Sequence, residues 1–189
     1  MRRILALLTL LWSMTLPAAA LELKPVKVAD NIYAIIGDLG NQSYDNDGLN
    51  ANLGFVIGDT SVLAINSGPS LRVAQALHAA IRKVTDKPVK WVVNVNSQNH
   101  YWHGNGYFQA QGATLVAHTE AQRLMREQGA SQLEGNRTTL KEKAQGTVLA
   151  PATVVFTDRK TIDLGKLSVE LLHFGNAHTP GDLAVWVPT

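Results

Sequence analysis

The side chains best suited to hold a metal in this chain are its six histidines, because it contains no cysteine. Any metal must then be held by His, Asp, Glu, Asn or Gln. His100 and His103 occur in NVNSQNHYWHGNGYF, directly after the apolar run Val89–Val95. Loops beyond the carboxyl ends of strands are where α/β proteins place their chemistry, and neutral imidazole is the commonest protein metal ligand. Two histidines three residues apart converge on one ion if the loop is helical or tightly turned. Alone, the pair reads equally as two loop histidines hydrogen-bonded to backbone. His178 lies in FGNAHTPGDLAVW, on a loop that Thr179-Pro180-Gly181 makes rigid. Together His100, His103 and His178 would supply the three protein ligands of a catalytic zinc site, with the fourth position left for water. One such zinc ion lowers the pKa of its water to about 7 and delivers hydroxide to an ester, thioester or amide. Asn99 and Asp182 are the candidates for orienting that water. His78 reads as a partly exposed helix residue, His173 as structural, and His118 as ending a strand, where functional side chains often cluster.

The elements that would position these residues form a mixed pattern. Val26–Ile36 reads as a strand. Residues 37–49 are rich in Gly, Asn and Asp and form a loop. Asn52–Ile57 and Val62–Asn66 are two strands joined by the turn 58–61. Ser70 caps a helix whose apolar stripe is Leu71, Ala74, Leu77, Ile81 and Val84, with Pro88 marking its end. Val89–Val95 is a buried strand. Gly106–Gln111 is a helical turn, Ala113–Ala117 a strand, and Thr119–Gln128 a helix capped by Thr119. Ala130–Gly146 is polar and without clear period, either a helix or a surface excursion. Short strands follow at 154–156, 161–164, 167–174 and 183–187. Hairpins combined with βαβ units predict a layered α/β or α+β domain.

The amino terminus has the layout of a secretory signal peptide. Arg2 and Arg3 precede the uncharged apolar stretch Ile4–Leu16, and Pro17-Ala18-Ala19-Ala20 follows with small residues for cleavage. That stretch is shorter than the ~20 residues that span a bilayer, so no permanent anchor is expected. Residues 1–20 are read as the signal and 21–189 as one domain, placed in the periplasm or secreted. The whole chain has 17 Lys+Arg against 15 Asp+Glu. Loss of Arg2 and Arg3 balances the mature charge, which speaks against a nucleic-acid surface. A small-molecule substrate is the expected partner.

Three segments carry a family resemblance. NLGFVIGDTSVLAINSGPS is similar to the opening hairpin and helix start of the metallo-β-lactamase superfamily. WVVNVNSQNHYWHGNGYFQAQGATLVAH resembles the strand, metal loop and strand that follow, and NAHTPGDLAVWVP the later His-Thr-x-Gly loop. Within the superfamily the nearest flavour is the exported hydrolases of quinoprotein and sulfur metabolism. The resemblance implies the N-terminal portion of an αββα sandwich, hydrolase activity, and His178 as a metal ligand.

The departures are as informative. The family's metal loop is His-x-His-x-Asp-His. Anchored on Gly104-Asn105, this chain has Asn96, Gln98, His100 and Tyr101 at those four positions. Shifted by one residue, Asn99-His100 falls on the Asp-His pair, and Val95 and Ser97 replace the first two histidines. Asn66 stands where the family has aspartate, so a second metal ion would be poorly neutralised. The resemblance also stops before the family's later Gly-Asp loop and further histidine. The domain therefore reads as incomplete at its carboxyl end, either shortened or covered by a second copy or a partner chain. An alternative to the hydrolase follows from the amides Asn96, Gln98 and Asn99. They favour hydrogen bonding over metal capture and suit a non-catalytic binding module of the same fold.

Overall fold

The computed structural model describes residues 21–188, so the expected signal segment and Thr189 lie outside the described residues. Seven strands form the main sheet, in the order β1 (Val26–Ala29), β2 (Ile32–Ile35), β3 (Leu53–Ile57), β4 (Val62–Ile65), β5 (Val89–Asn94), β6 (Thr114–His118) and β7 (Val154–Phe156). Pairing is antiparallel from β1 to β4 and parallel from β4 to β7. A second antiparallel sheet has the order β10 (Ala184–Trp186), β9 (Ser168–Leu172) and β8 (Arg159–Asp163).

The period-2 alternation of the strands decides the layers. Phe55, Ala64, Val92 and Leu115 point to one face, where they pack with Leu77 and Ile81 of α1 (Leu71–Arg82), Trp102 of α2 (Asn99–Trp102), Phe108 of α3 (Asn105–Ala110) and Met125 of α4 (Thr119–Leu140). Their neighbours Val56, Leu63, Val93 and Val116 point to the other face and meet Ile162, Val169 and Leu171 of the second sheet. Strands buried on both faces read as continuous apolar runs, as β3 does at all five positions. The layers are therefore helices, large sheet, small sheet, which agrees with the expected α/β part of a sandwich. On the outer side of the small sheet Trp186 is 57% exposed, and Phe174, just past β9, is 81% exposed. Among the described residues no helix is long and apolar enough to cross a membrane.

Three local expectations change. The expected strand Val26–Ile36 is a hairpin, broken at Asp30-Asn31, where Asn31 takes φ 62°. Asparagine tolerates that left-handed conformation better than most residues. The helix expected to end at Gln128 runs on to Leu140, because Met125, Gly129, Leu133, Asn136 and Leu140 form its buried face. Its cap is His118 and not Thr119, since the His118 side chain accepts from the Glu120 N–H at 3.2 Å. Ser70 caps α1 as expected, accepting from the Val73 N–H at 3.3 Å.

Candidate functional site

The strands β4, β5 and β6 run parallel and end together at Ile65, Asn94 and His118. The loops beyond these ends carry the candidate residues. Residues 95–98 lead into the single-turn helix α2, which holds Asn99 and His100, and His103 follows at its carboxyl end. A tight approach fixes this loop: Gly104 lies so close to Ser67 that an added Cβ would sit 2.1 Å from the Ser67 carbonyl oxygen.

His103 is buried against α4. Asn136, itself 1% exposed, lies on that helix's inner face. Its Oδ1 accepts from Asn99 Nδ2 at 2.5 Å, and its Nδ2 donates to the Pro69 carbonyl at 2.9 Å and to His103 Nδ1 at 3.0 Å. Those bonds orient the Asn136 amide, so Nδ1 of His103 accepts and the ring proton sits on Nε2. That Nε2 is buried with no hydrogen-bond partner. Burial pushes the His103 imidazole down to about 4, an effect that the nearby Gln132 side chain opposes and the charge of His100 reinforces.

His100 is oriented by Asn99. Asn99 Nδ2 also donates to Gln42 Oε1 at 3.0 Å, so its Oδ1 accepts the His100 N–H at 2.7 Å and the ring Nδ1–H at 3.1 Å. Burial pushes His100 down to about 4, and the neighbouring His178 adds to it. Burial raises the Tyr101 hydroxyl, and the charge of Asp182 adds to that.

Asp182 organises the second loop. Its Oδ1 accepts from Asn96 Nδ2 at 2.5 Å and from the Thr179 hydroxyl at 2.5 Å, and its Oδ2 from the His178 N–H at 2.9 Å. Its carbonyl accepts from His173 Nδ1 at 2.8 Å, and the His173 ring stacks on that of His118, 3.8 Å between centroids. His118 thus belongs to a helix cap and a ring pair beside this loop. His78 lies away from it, 2.8 Å from the Tyr107 hydroxyl through Nδ1.

These positions bear on the expected zinc site. Among the described residues no group of three or more His, Asp or Glu is gathered to hold a metal ion. His100, His103 and His178 come to the same end of the sheet, but they do not form a three-ligand set. For His103 the reason is chemical: its Nδ1 accepts from Asn136, so Nε2 carries the ring proton and offers no lone pair, whereas His100 bonds Asn99 through Nδ1 and keeps Nε2 open. Asn99 and Asp182, expected to orient water, use their polar atoms to tie loops together. With His103 protonated on Nε2, the three histidines as oriented do not complete a three-imidazole zinc set. Asn66 shows the same exchange. Its Oδ1 accepts from the Val95 N–H at 3.0 Å while its Nδ2 donates to the Asn52 carbonyl at 3.2 Å, a double role that a carboxylate cannot fill.

The same residues leave a cleft of about 320 Å3 lined by Gln42, Asn50, Gln98, Asn99, His100 and Gln132. One wall is the loop carrying Gln42 and Asn50. That loop is held down by Asp47, which is paired with Arg72 at 2.8 Å and Lys143 at 3.4 Å, and by the Tyr44 hydroxyl donating to Glu142 at 2.5 Å. Gln42, Asn50, Gln132 and Asn136 had not stood out in the sequence. A larger cavity, about 750 Å3, lies at the opposite end of the strands and contains none of the histidines.

No protein-family model matches the sequence. Solved structures do match. A metallo-β-lactamase from Pontibacter korlensis superposes with a TM-score of 0.66 at 17% identity, over 88% of this chain and 67% of that one. The DIM-1 metallo-β-lactamase superposes with a TM-score of 0.65 at 21% identity, over 90% of this chain and 68% of its own. A stereoselective inverting sec-alkylsulfatase from Pseudomonas sp. gives 0.63 at 14% identity, over 88% of this chain and 30% of its own length. This chain therefore spans about two thirds of the two lactamases and less than a third of the sulfatase. At these identities the likeness speaks for the architecture, and the architecture of this chain is the metallo-β-lactamase fold.

Proposed function

We propose that this chain uses the metallo-β-lactamase fold to bind a ligand through hydrogen bonds, in place of hydrolysis by a zinc-bound hydroxide. The observation that carries the reading is the bond from Asn136 Nδ2 to His103 Nδ1, together with its counterpart from Asn96 Nδ2 to Asp182 Oδ1. At the first point an amide occupies a histidine expected as a zinc ligand, and at the second one occupies the carboxylate expected to orient the zinc-bound water. Rearranging the two loops to free them would break several buried hydrogen bonds, each costing about 1–3 kcal/mol if left unmade. The segment Arg2–Ala20 supports export as the setting for this activity.

The test is metal content and metal response. Purified protein is dialysed against excess zinc, and bound metal is counted by elemental analysis. The reading expects far less than one zinc per chain and an unchanged melting temperature. A real site held at about 100 times its Kd would add about 2.7 kcal/mol of stability. One zinc per chain that disappears in both His100→Ala and His178→Ala would overturn the proposal and restore the hydrolase.

A further inference from the structure

The geometry points to a small, uncharged, multiply hydroxylated molecule, of the monosaccharide class, as the ligand of the cleft lined by Gln42, Asn50, Gln98, Asn99, His100 and Gln132. This rests on the reading of the site as a hydrogen-bonding one and adds what it selects.

Five of the six lining side chains are carboxamides, and none is Lys, Arg, Asp or Glu. An anion entering this cleft would give up its water without meeting a cation. A cation would find no carboxylate. Burying a charge without a partner is the most costly form of desolvation, so ions of either sign are selected against. The wall is also too polar for an apolar guest, because each amide must keep its hydrogen bonds.

What remains open in the cleft defines the complement. Asn50 Oδ1 is shut away from solvent, so this side chain presents its Nδ2 donor to the cleft. His100 spends Nδ1 on Asn99, which leaves Nε2 for the cleft. Gln98 forms a bond through its backbone N–H, 2.8 Å to Asn96 Oδ1, and its side-chain amide offers a donor and an acceptor. Gln42 and Asn99 are bonded to each other at 3.0 Å and to their surroundings, so they hold the wall and do not rearrange freely. A guest is therefore asked to donate to His100 Nε2 and to accept from Asn50 Nδ2, with Gln98 able to do either. Neighbouring hydroxyls do both. A site whose buried polar groups are completed by hydroxyls rejects analogues that lack them. The cleft volume of about 320 Å3 leaves room for one such ring with some water.

The experiment titrates the full chain with D-glucose, N-acetylglucosamine and myo-inositol, and separately with inorganic phosphate and acetate, following side-chain amide NMR signals. The expected result is saturable shifts of the Asn50 and Gln98 amides with at least one neutral probe and none with the anions. Gln98→Ala should weaken that binding about fivefold, the loss of one or two hydrogen bonds, while leaving the melting temperature within a degree or two. The proposal is overturned if no neutral probe shifts these amides, or if phosphate or acetate does so as strongly. Failure here with no zinc bound removes only the ligand class. Stoichiometric zinc removes the underlying reading as well.

Discussion

Asn136 on the long helix donates to Nδ1 of His103 at 3.0 Å, joining residues 33 positions apart in sequence. Because the same amide also serves Pro69 and Asn99, its removal leaves the Pro69 carbonyl and His103 Nδ1 buried without a partner and Asn99 Nδ2 with Gln42 alone. Asn136→Ala is expected to cost about 2–4 kcal/mol and lower the melting temperature by roughly 5–10 °C. A loss below 1 kcal/mol in urea unfolding would show that the network is not formed in solution.

Two glycines of the same helix should respond in opposite ways. A Cβ on Gly129 would lie 2.8 Å from the indole of Trp102, whereas one on Gly135 would meet nothing within 4 Å. Alanine favours a helix interior by about 1 kcal/mol over glycine. Gly135→Ala is therefore expected to stabilise by about 0.5–1 kcal/mol. In Gly129→Ala that gain is outweighed by overpacking against a rigid ring, about 1–3 kcal/mol, so the variant should melt lower. The comparison needs only two melting curves, and equal shifts of one sign would contradict the packing.

How much of this was legible beforehand differs by element. The strands β3 to β6 and the cap at Ser70 stand out because alternation, apolar periodicity and a short hydroxyl side chain act locally. Helix α4 past Gln128 was not evident, because two positions of its buried face are Gly129 and Asn136, which do not count as apolar. Admitting a glycine that receives an indole and an asparagine that is fully bonded would have completed the stripe from Met125 to Leu140. The histidines were conspicuous as ligand types, but their roles were not. Nothing near His103 in the sequence announces an amide that arrives from another helix. The imidazole pattern fixed where the site lies and could not tell a metal ligand from a hydrogen-bond acceptor.

Acid should loosen the fold through the two loop histidines. Burial holds His100 and His103 at about 4, below the ordinary 6.5. A folded-state value below the unfolded one means that the unfolded chain takes up protons first. The stabilising contribution is then complete above about pH 6.5 and is lost as pH falls from there to about 4. For fully buried His103 the whole loss is on the order of 3 kcal/mol. Denaturant unfolding at pH 7.5, 6 and 5 should show a steady fall, and ring NMR signals should remain those of neutral imidazole at pH 5.5. A flat profile across that range would contradict the buried, neutral assignment.

Restoring the carboxylate at position 66 should weaken the fold and not rebuild a metal site. Asn66 is 2% exposed and donates to the Asn52 carbonyl. Asn66→Asp removes that donor and sets a buried charge beside a carbonyl oxygen. The expected cost at pH 7 is about 1–3 kcal/mol. It should shrink on acidification below pH 5, where a protonated carboxyl can donate again. Parallel urea titrations at the two pH values check both parts.

The strap from Tyr44 to Glu142 has a consequence for how this cleft could be tuned. It connects positions separated by 98 residues, and Lys143 is tied to the same loop through Asp47 and the Tyr44 carbonyl. This wall of the cleft is thus fastened both to the segment after α4, through Glu142 and Lys143, and to Asn99 beside His100, through Gln42. Substitutions at Glu142 or Lys143 can therefore reach this wall without changing the identity of any of the six side chains that line the cleft.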